Sequence, residues 1–232
     1  MPKLNTQLIE LPANHLLDKF GSGTHAPGSG SAAALMGLLA AKLLVTVATL
    51  TEQNAKYHEV HASMAAIREI VQEGISPRLL ELFQKDAESF DRVIEARRRR
   101  DGASDATERR PHAEAALQAL REATEILFEI ANLCMRLIDH GVTIFDSGFQ
   151  SARGDTGAAV SASVAAVMSA IFIINLNLKS FRGSDWAREQ RKKCDELHDL
   201  VVQKQSSAFE RVTTLRTEQV QSMTLDFGSE AS

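Results

Sequence analysis

Two carboxylates stand where their surroundings give them chemical interest. Asp86 lies in Asp86-Ala87-Glu88-Ser89-Phe90-Asp91, and helical spacing puts Asp86, Phe90 and Val93 on one face. A carboxylate on an apolar face needs a partner or a task, because burying its charge unpaired is costly. Asp155 opens an uncharged stretch at Gly154-Asp155-Thr156-Gly157-Ala158, a position that equally suits a plain helix cap. Carboxylates so placed can move protons or stabilise a cation. Gly28-Ser29-Gly30-Ser31 leads into an apolar helix, so free backbone N–H groups there favour an anion or a polarised carbonyl; an ordinary serine cap explains the same residues. Gly21/Gly23/Ala26 and Gly28/Gly30/Ala33 both fit G-x-G-x-x-A, but the residues before them read as helix, which excludes a dinucleotide fold. His58 and His61 stand three apart without a third ligand and read as a solvated face. Arg97 to Arg100, with Arg109 and Arg110, form either a solvated basic segment or a local anion clamp. No G-x-S-x-G occurs, which excludes a hydrolase built on that serine elbow.

The elements that must position these residues read as helices. Prolines occur only at 2, 12, 27, 77 and 111, aromatics make up 5%, and Ala, Leu, Glu, Arg and Gln are abundant. The pattern predicts helices over roughly 6–20, 31–51, 55–73, 77–100, 111–140, 156–181 and 184–223. Residues 101–111 read as an exposed loop, with Pro111 as the first residue of the helix that follows. The fold class expected is all-α, an up-down bundle of about six helices in one domain over 1–223, with a flexible tail over 224–232. Ala32 to Leu50 contains only Lys42 as a charge, and Thr156 to Leu178 contains none. Both runs are long enough to span a membrane, but they are rich in Ala, Ser, Gly and Thr and suit the centre of a bundle better. Burying two such helices on all sides takes more surface than the remaining helices supply, so an obligate homodimer or larger assembly is expected. With 232 residues, a net charge of −4 and two cysteines, the chain is a poor general nucleic-acid binder and no disulfide scaffold. No signal peptide is visible, and a cytoplasmic location with reduced thiols is expected.

Taken in order, these segments resemble the cyclodeaminase/cyclohydrolase family of folate enzymes. Ala26-Pro27-Gly28-Ser29-Gly30-Ser31-Ala32-Ala33-Ala34-Leu35 resembles that family's T-P-G-G-G-S-A-A-A-L. Lys56-Tyr57 resembles its K-Y, and Asp86 to Val93 its D-x-E-A-F-D-x-V. Gly154 to Ala159 resembles S-D-A-G-V-A, and Asn177-Leu178-Lys179-Ser180 resembles N-L-K-S. The resemblance runs from about Leu16 to Lys204. Ser29 stands where the family has the second glycine, and His25 and Ala26 stand where it has proline and threonine.

The resemblance implies a folate site in a groove between subunits and one of two reactions. Either water opens a methenyl bridge to give formyltetrahydrofolate, or formiminotetrahydrofolate closes to the methenyl form and releases ammonia. It implies Asp86 and Asp155 as base and electrostatic stabiliser in unassigned order, with Lys56 as an acid or anion partner. Pro27, Gly28, Ser29, Gly30, Ser31, Tyr57 and Asn177 are the expected substrate contacts. Arg97, roughly 16 Å along the helix from Asp86, is expected to reach the substrate's anionic tail. No metal and no cofactor beyond the folate substrate is expected, and no membrane or nucleic-acid partner. The alternative is a diverged member that binds another small molecule or lacks catalysis and serves as a helical, oligomeric binding protein.

Overall fold

The computed structural model describes the backbone of residues 7–181 and 183–228, and the side chains of these up to residue 217. Among the described residues every regular element is helical: α1 (Ala13–Phe20), α2 (Ser29–Gln53), α3 (His61–Glu69), α4 (Ser76–Gly102), α5 (Ala106–Ser147), α6 (Arg153–Leu178) and α7 (Asp185–Gly228). The all-α expectation holds, with seven α-helices where seven helical stretches and a bundle of about six were expected.

The contacts fix the directions. Gly37 of α2 faces Cys134 of α5 and Leu79 of α4, while Gly141 of α5 faces Val160 of α6 and Leu44 of α2. Numbering therefore rises together in α2 and α5 and falls in α4 and α6, which gives an up-down bundle. A Cβ at Gly141 would stand 2.5 Å from Val160 Cγ2, so the missing side chain is what lets α5 and α6 approach this closely. The last helix runs alongside α5, tied by Lys204 to Asp139 and by Arg211 Nε to Asp146 Oδ1 at 2.7 Å. One continuous core joins α2, α4, α5 and α6 through residues such as Leu44, Leu79, Phe83, Ile130, Leu137 and Ile174.

Several boundaries differ from the sequence reading. Residues 101–111 are no loop: α4 runs to Gly102 and α5 starts at Ala106. Asp105 sets that start by accepting hydrogen bonds from the N–H groups of Thr107 and Glu108, at 2.8 and 2.9 Å. Pro111 consequently lies inside α5, in its second turn, where the helix forgoes one backbone bond. The expected helix over 55–73 is divided into a 3₁₀ segment (Ala55–Val60), α3 and a wide π-type turn (Ile70–Ile75) that runs directly into α4. The last helix continues past 223 to Gly228; residues 229–232 of the expected tail lie outside the described residues.

Ser89 of α4 is fully buried, and its hydroxyl has no hydrogen-bond partner among the described residues. Leaving such a group unmet costs about 1–3 kcal/mol. Ser89→Ala is therefore expected to raise the thermal midpoint by roughly 2–4 °C for each kcal/mol recovered. A melt with an unchanged or lower midpoint would show that the hydroxyl is satisfied.

Candidate functional site

The amino end of α2 is built around Asp86. The helix starts at Ser29, two residues earlier than expected, and Gly28 offers no side-chain cap. The cap comes from across the bundle. Ser31 Oγ donates to Asp86 Oδ2 at 2.8 Å, and the Ser31 backbone also hydrogen-bonds the carboxylate. The serine-cap expectation for this loop is thus inverted, since the Ser31 hydroxyl serves Asp86 rather than its own helix. A Cβ at Gly30 would stand 2.1 Å from Asp86 Oδ1, so only glycine lets the first turn of α2 close on the carboxylate. Gly30→Ala is expected to cost about 1–3 kcal/mol through overpacking, read as a lower thermal midpoint. A midpoint within about one degree of the parent, at roughly 2–4 °C per kcal/mol, would mean that Asp86 can move aside freely.

Asp86 is only 8% exposed and forms no ion pair among the described residues. Burial pushes its carboxyl above the ordinary range, against the opposing pull of the Ser31 hydroxyl and backbone. Asp86 is thus a buried carboxylate held by Ser31 at the positive amino end of a helix, with no cationic side chain paired to it among the described residues.

Of the other expected residues, Pro27, Gly28, Ser29, Gly30 and Ser31 sit at this end. So does Asn177 at the close of α6, whose Nδ2 donates to Thr124 Oγ1 at 3.1 Å. Arg97 lies about three turns beyond Asp86 on α4. An open groove of about 430 Å³ between α4 and α5 is lined by Asp91, Arg92, Glu95, Arg99 and His112, and Arg97 is not part of that lining. Within the arginine run, Arg99 pairs with Glu95 at 3.0 Å and Arg100 with Asp101 at 2.8 Å.

Lys56, Tyr57 and Asp155 belong to the opposite end of the bundle. The Phe149 N–H donates to Thr51 Oγ1 at 2.9 Å and the Gln150 N–H to Tyr57 Oη at 3.1 Å, so the start of α6 sits at the carboxyl end of α2. Asp155 is exposed in the first turn of α6 and caps nothing, because the helix begins at Arg153. Lys56 is exposed in the 3₁₀ segment. From Ser31 to Thr51 the α2 axis covers about 30 Å at 1.5 Å per residue. One chain therefore holds its two candidate carboxylates at opposite ends of the bundle.

Sequence reasoning passed over one contact at the Asp86 end. His25 Nε2 lies 2.8 Å from Asp91 Oδ1, and the imidazole stands 6.2 Å from the Phe90 ring. The available signal was the acid one turn beyond Asp86 combined with a histidine in the loop leading to Gly28. His61, half of the histidine pair, bonds the Asn54 carbonyl at 3.1 Å, and no group of three or more metal-binding side chains occurs among the described residues. Cys134 is fully buried, with its thiol pushed up to about 12, which makes it no nucleophile at neutral pH.

Residues 12–196 match the family described as formiminotransferase-cyclodeaminase. The chain belongs to that family. A methenyltetrahydrofolate cyclohydrolase of Methylorubrum extorquens is 31% identical over 183 residues, which are 78% of this chain and 86% of that protein. The formimidoyltransferase-cyclodeaminase of Sus scrofa is 24% identical over 192 residues, 82% of this chain but 35% of that longer protein. The crystal structure of the formiminotetrahydrofolate cyclodeaminase of Thermotoga maritima has the same fold. It superposes with a TM-score of 0.77 at 20% identity, covering 90% of this chain and 98% of that one. The family's motifs thus fall on both ends of this bundle, with Asp86 at one and Asp155 at the other.

Proposed function

We propose that this member of the formiminotransferase-cyclodeaminase family is a folate one-carbon enzyme. It hydrolyses methenyltetrahydrofolate to formyltetrahydrofolate, cyclises formiminotetrahydrofolate with loss of ammonia, or does both. The supporting observation is Asp86: a buried carboxylate, held by Ser31 and Gly30, with no cation of its own among the described residues. The methenyl bridge is an amidinium-like cation, and a fixed carboxylate in a dry site stabilises such charge. The 31% identical relative named as a cyclohydrolase supports the hydrolytic direction.

The proposal includes a homodimer that completes the site. On α2, Leu35, Leu39, Leu43 and Leu50 follow one helical stripe; on α6, Asp155, Ala158, Ala165, Phe172 and Leu176 follow another. Leu39, Phe172 and Leu176 are 59%, 68% and 60% exposed, an unusual cost for large apolar side chains in a lone chain. Both helices are long and apolar enough to cross a membrane, yet each already buries half of its most apolar window in the bundle. A second copy packed antiparallel on this face covers the rest and sets Asp155, Lys56 and Tyr57 of one protomer near Asp86 of the other. A cytoplasmic location, with no cofactor beyond folate and no membrane or nucleic-acid partner, goes with this reading. Arg97 remains a proposed contact for the substrate's anionic tail.

The test is optical and chemical. Adding the protein to methenyltetrahydrofolate is expected to speed the loss of its absorbance. With formiminotetrahydrofolate, the absorbance grows while ammonia appears. No acceleration of either reaction rejects the reading.

A further inference from the structure

Beside Asp86, the amino end of α2 carries a second pair of titratable groups. Asp86, Phe90 and Asp91 follow one another on α4 within little more than a turn. His25 meets them from the loop: its Nε2 lies 2.8 Å from Asp91 Oδ1 and its ring 6.2 Å from the Phe90 ring. Its carbonyl oxygen lies 3.2 Å from where a Gly28 Cβ would stand, and a Gly30 Cβ would meet Asp86 Oδ1, so the loop from His25 leads directly onto the first turn of α2 beside Asp86. The loop is held in place as well. Ser22 Oγ donates to the Lys19 carbonyl at 2.7 Å, and Thr24 Oγ1 to that of Ala26 at 3.1 Å.

The two pairs differ in kind. Asp86 is buried and committed to Ser31, whereas the side chains of His25 and Asp91 are 36% and 45% exposed. With Asp91 accepting the Nε2–H, the imidazole keeps Nδ1 as its basic nitrogen, and that nitrogen has no hydrogen-bond partner among the described residues. Both folate reactions need a group that takes and returns a proton near neutral pH, the property that sets imidazole apart from the other side chains.

We propose that His25 is the proton-transfer residue of the folate site and that Asp91 positions it; the assignment rests on the folate reading above. In hydrolysis, the water oxygen bonds to the bridge carbon while one of its protons passes to Nδ1, leaving a neutral carbinolamine. The bond from that carbon to the ring nitrogen then breaks, and its electron pair stays on nitrogen. The imidazolium returns its proton to that nitrogen, while the hydroxyl loses its proton to solvent as the formyl carbonyl forms. One water is consumed and one proton released. In cyclisation, the side-chain nitrogen adds to the formimino carbon. The departing nitrogen leaves as ammonia, with one proton from the attacking N–H and one from the imidazolium.

Asp91 is the charged group that His25 touches; Asp86 stands little more than a turn away on α4, and Arg92, Glu95, Arg99 and His112 line the groove that Asp91 also lines. The experiment uses the full chain and records kcat and KM against pH. His25→Gln is expected to lower kcat about 100-fold with KM little changed, and to abolish the fall in hydrolysis rate on the acid side of neutrality. Asp91→Asn is expected to lower kcat about tenfold and to move that fall along the pH axis. His25→Ala is expected to regain at least about fivefold in kcat with free imidazole, saturably, which a structural role does not produce. A His25→Gln enzyme with the parental kcat or the parental pH profile overturns the assignment, as does an Ala variant deaf to imidazole. A parent chain that converts neither folate overturns the folate reading, and this assignment falls with it; an active parent with an unaffected variant overturns the assignment alone.

Discussion

Asp86→Asn is expected to abolish most of the activity, at least ~100-fold in kcat, while leaving the protein as stable as the parent at neutral pH or more so. The two halves of that expectation have one cause. Burial holds the Asp86 carboxyl above its ordinary range, with the Ser31 donors opposing. The folded state therefore binds this proton more tightly than the unfolded state does. Stability is lost as pH rises from the ordinary carboxylate value of about 3.9 through the raised one, because the unfolded chain ionises first. At neutral pH the ionised, buried Asp86 is a net burden on the fold. An amide of the same shape removes that burden and keeps an oxygen to accept from Ser31. Melts of both proteins across pH check the sign: the variant's advantage is greatest near neutrality and shrinks as acid protonates the parent's carboxyl. A midpoint lowered by more than about 5 °C at neutral pH, over 1 kcal/mol for a chain of this size, would make Asp86 a structural cap first. A near-parental turnover would remove it from the site.

How much of this was legible in the sequence depends on the kind of signal. The two nearly uncharged runs announced α2 and α6, because helices so largely apolar have few places to go but the middle of a bundle. The stretch around 101–111 misled because dense charge imitates a loop. Here the charges are spent along helix surfaces, with Arg99 on Glu95 and Arg110 on Glu114, and a single capping residue, Asp105, confines the break to three residues. Asp86 stood out because an acid among apolar helix positions has few reasons to be there. Its distance from Asp155 was hidden, since sequence order does not say at which end of a bundle a residue emerges; the alternation of helix directions does. His25 and Asp91 are 66 positions apart, and no local pattern reports a contact of that range.

That separation leads to a result that no single-chain site can give. Asp86→Asn and Asp155→Asn are each expected to lose at least ~100-fold in turnover, for each removes a carboxylate from every site of its own homodimer. If the site combines Asp86 of one protomer with Asp155 of its partner, a mixed dimer of the two variants has one site with both carboxylates intact and one with neither. In an isologous dimer this follows from the two-fold axis alone. Unfolding and refolding the two inactive proteins together in equal amounts makes half of the dimers mixed, each with one working site of two. The mixture is then expected to recover about a quarter of parental activity, roughly 25-fold above either variant alone. Copurified subunits with different tags confirm exchange independently of activity. With exchange confirmed, a mixture no more active than its components would place both carboxylates in sites built within one chain, or exclude one of them from catalysis. About 30 Å of α2 between the two ends of the bundle opposes the first outcome, and the loss seen in the Asp155→Asn homodimer decides the second.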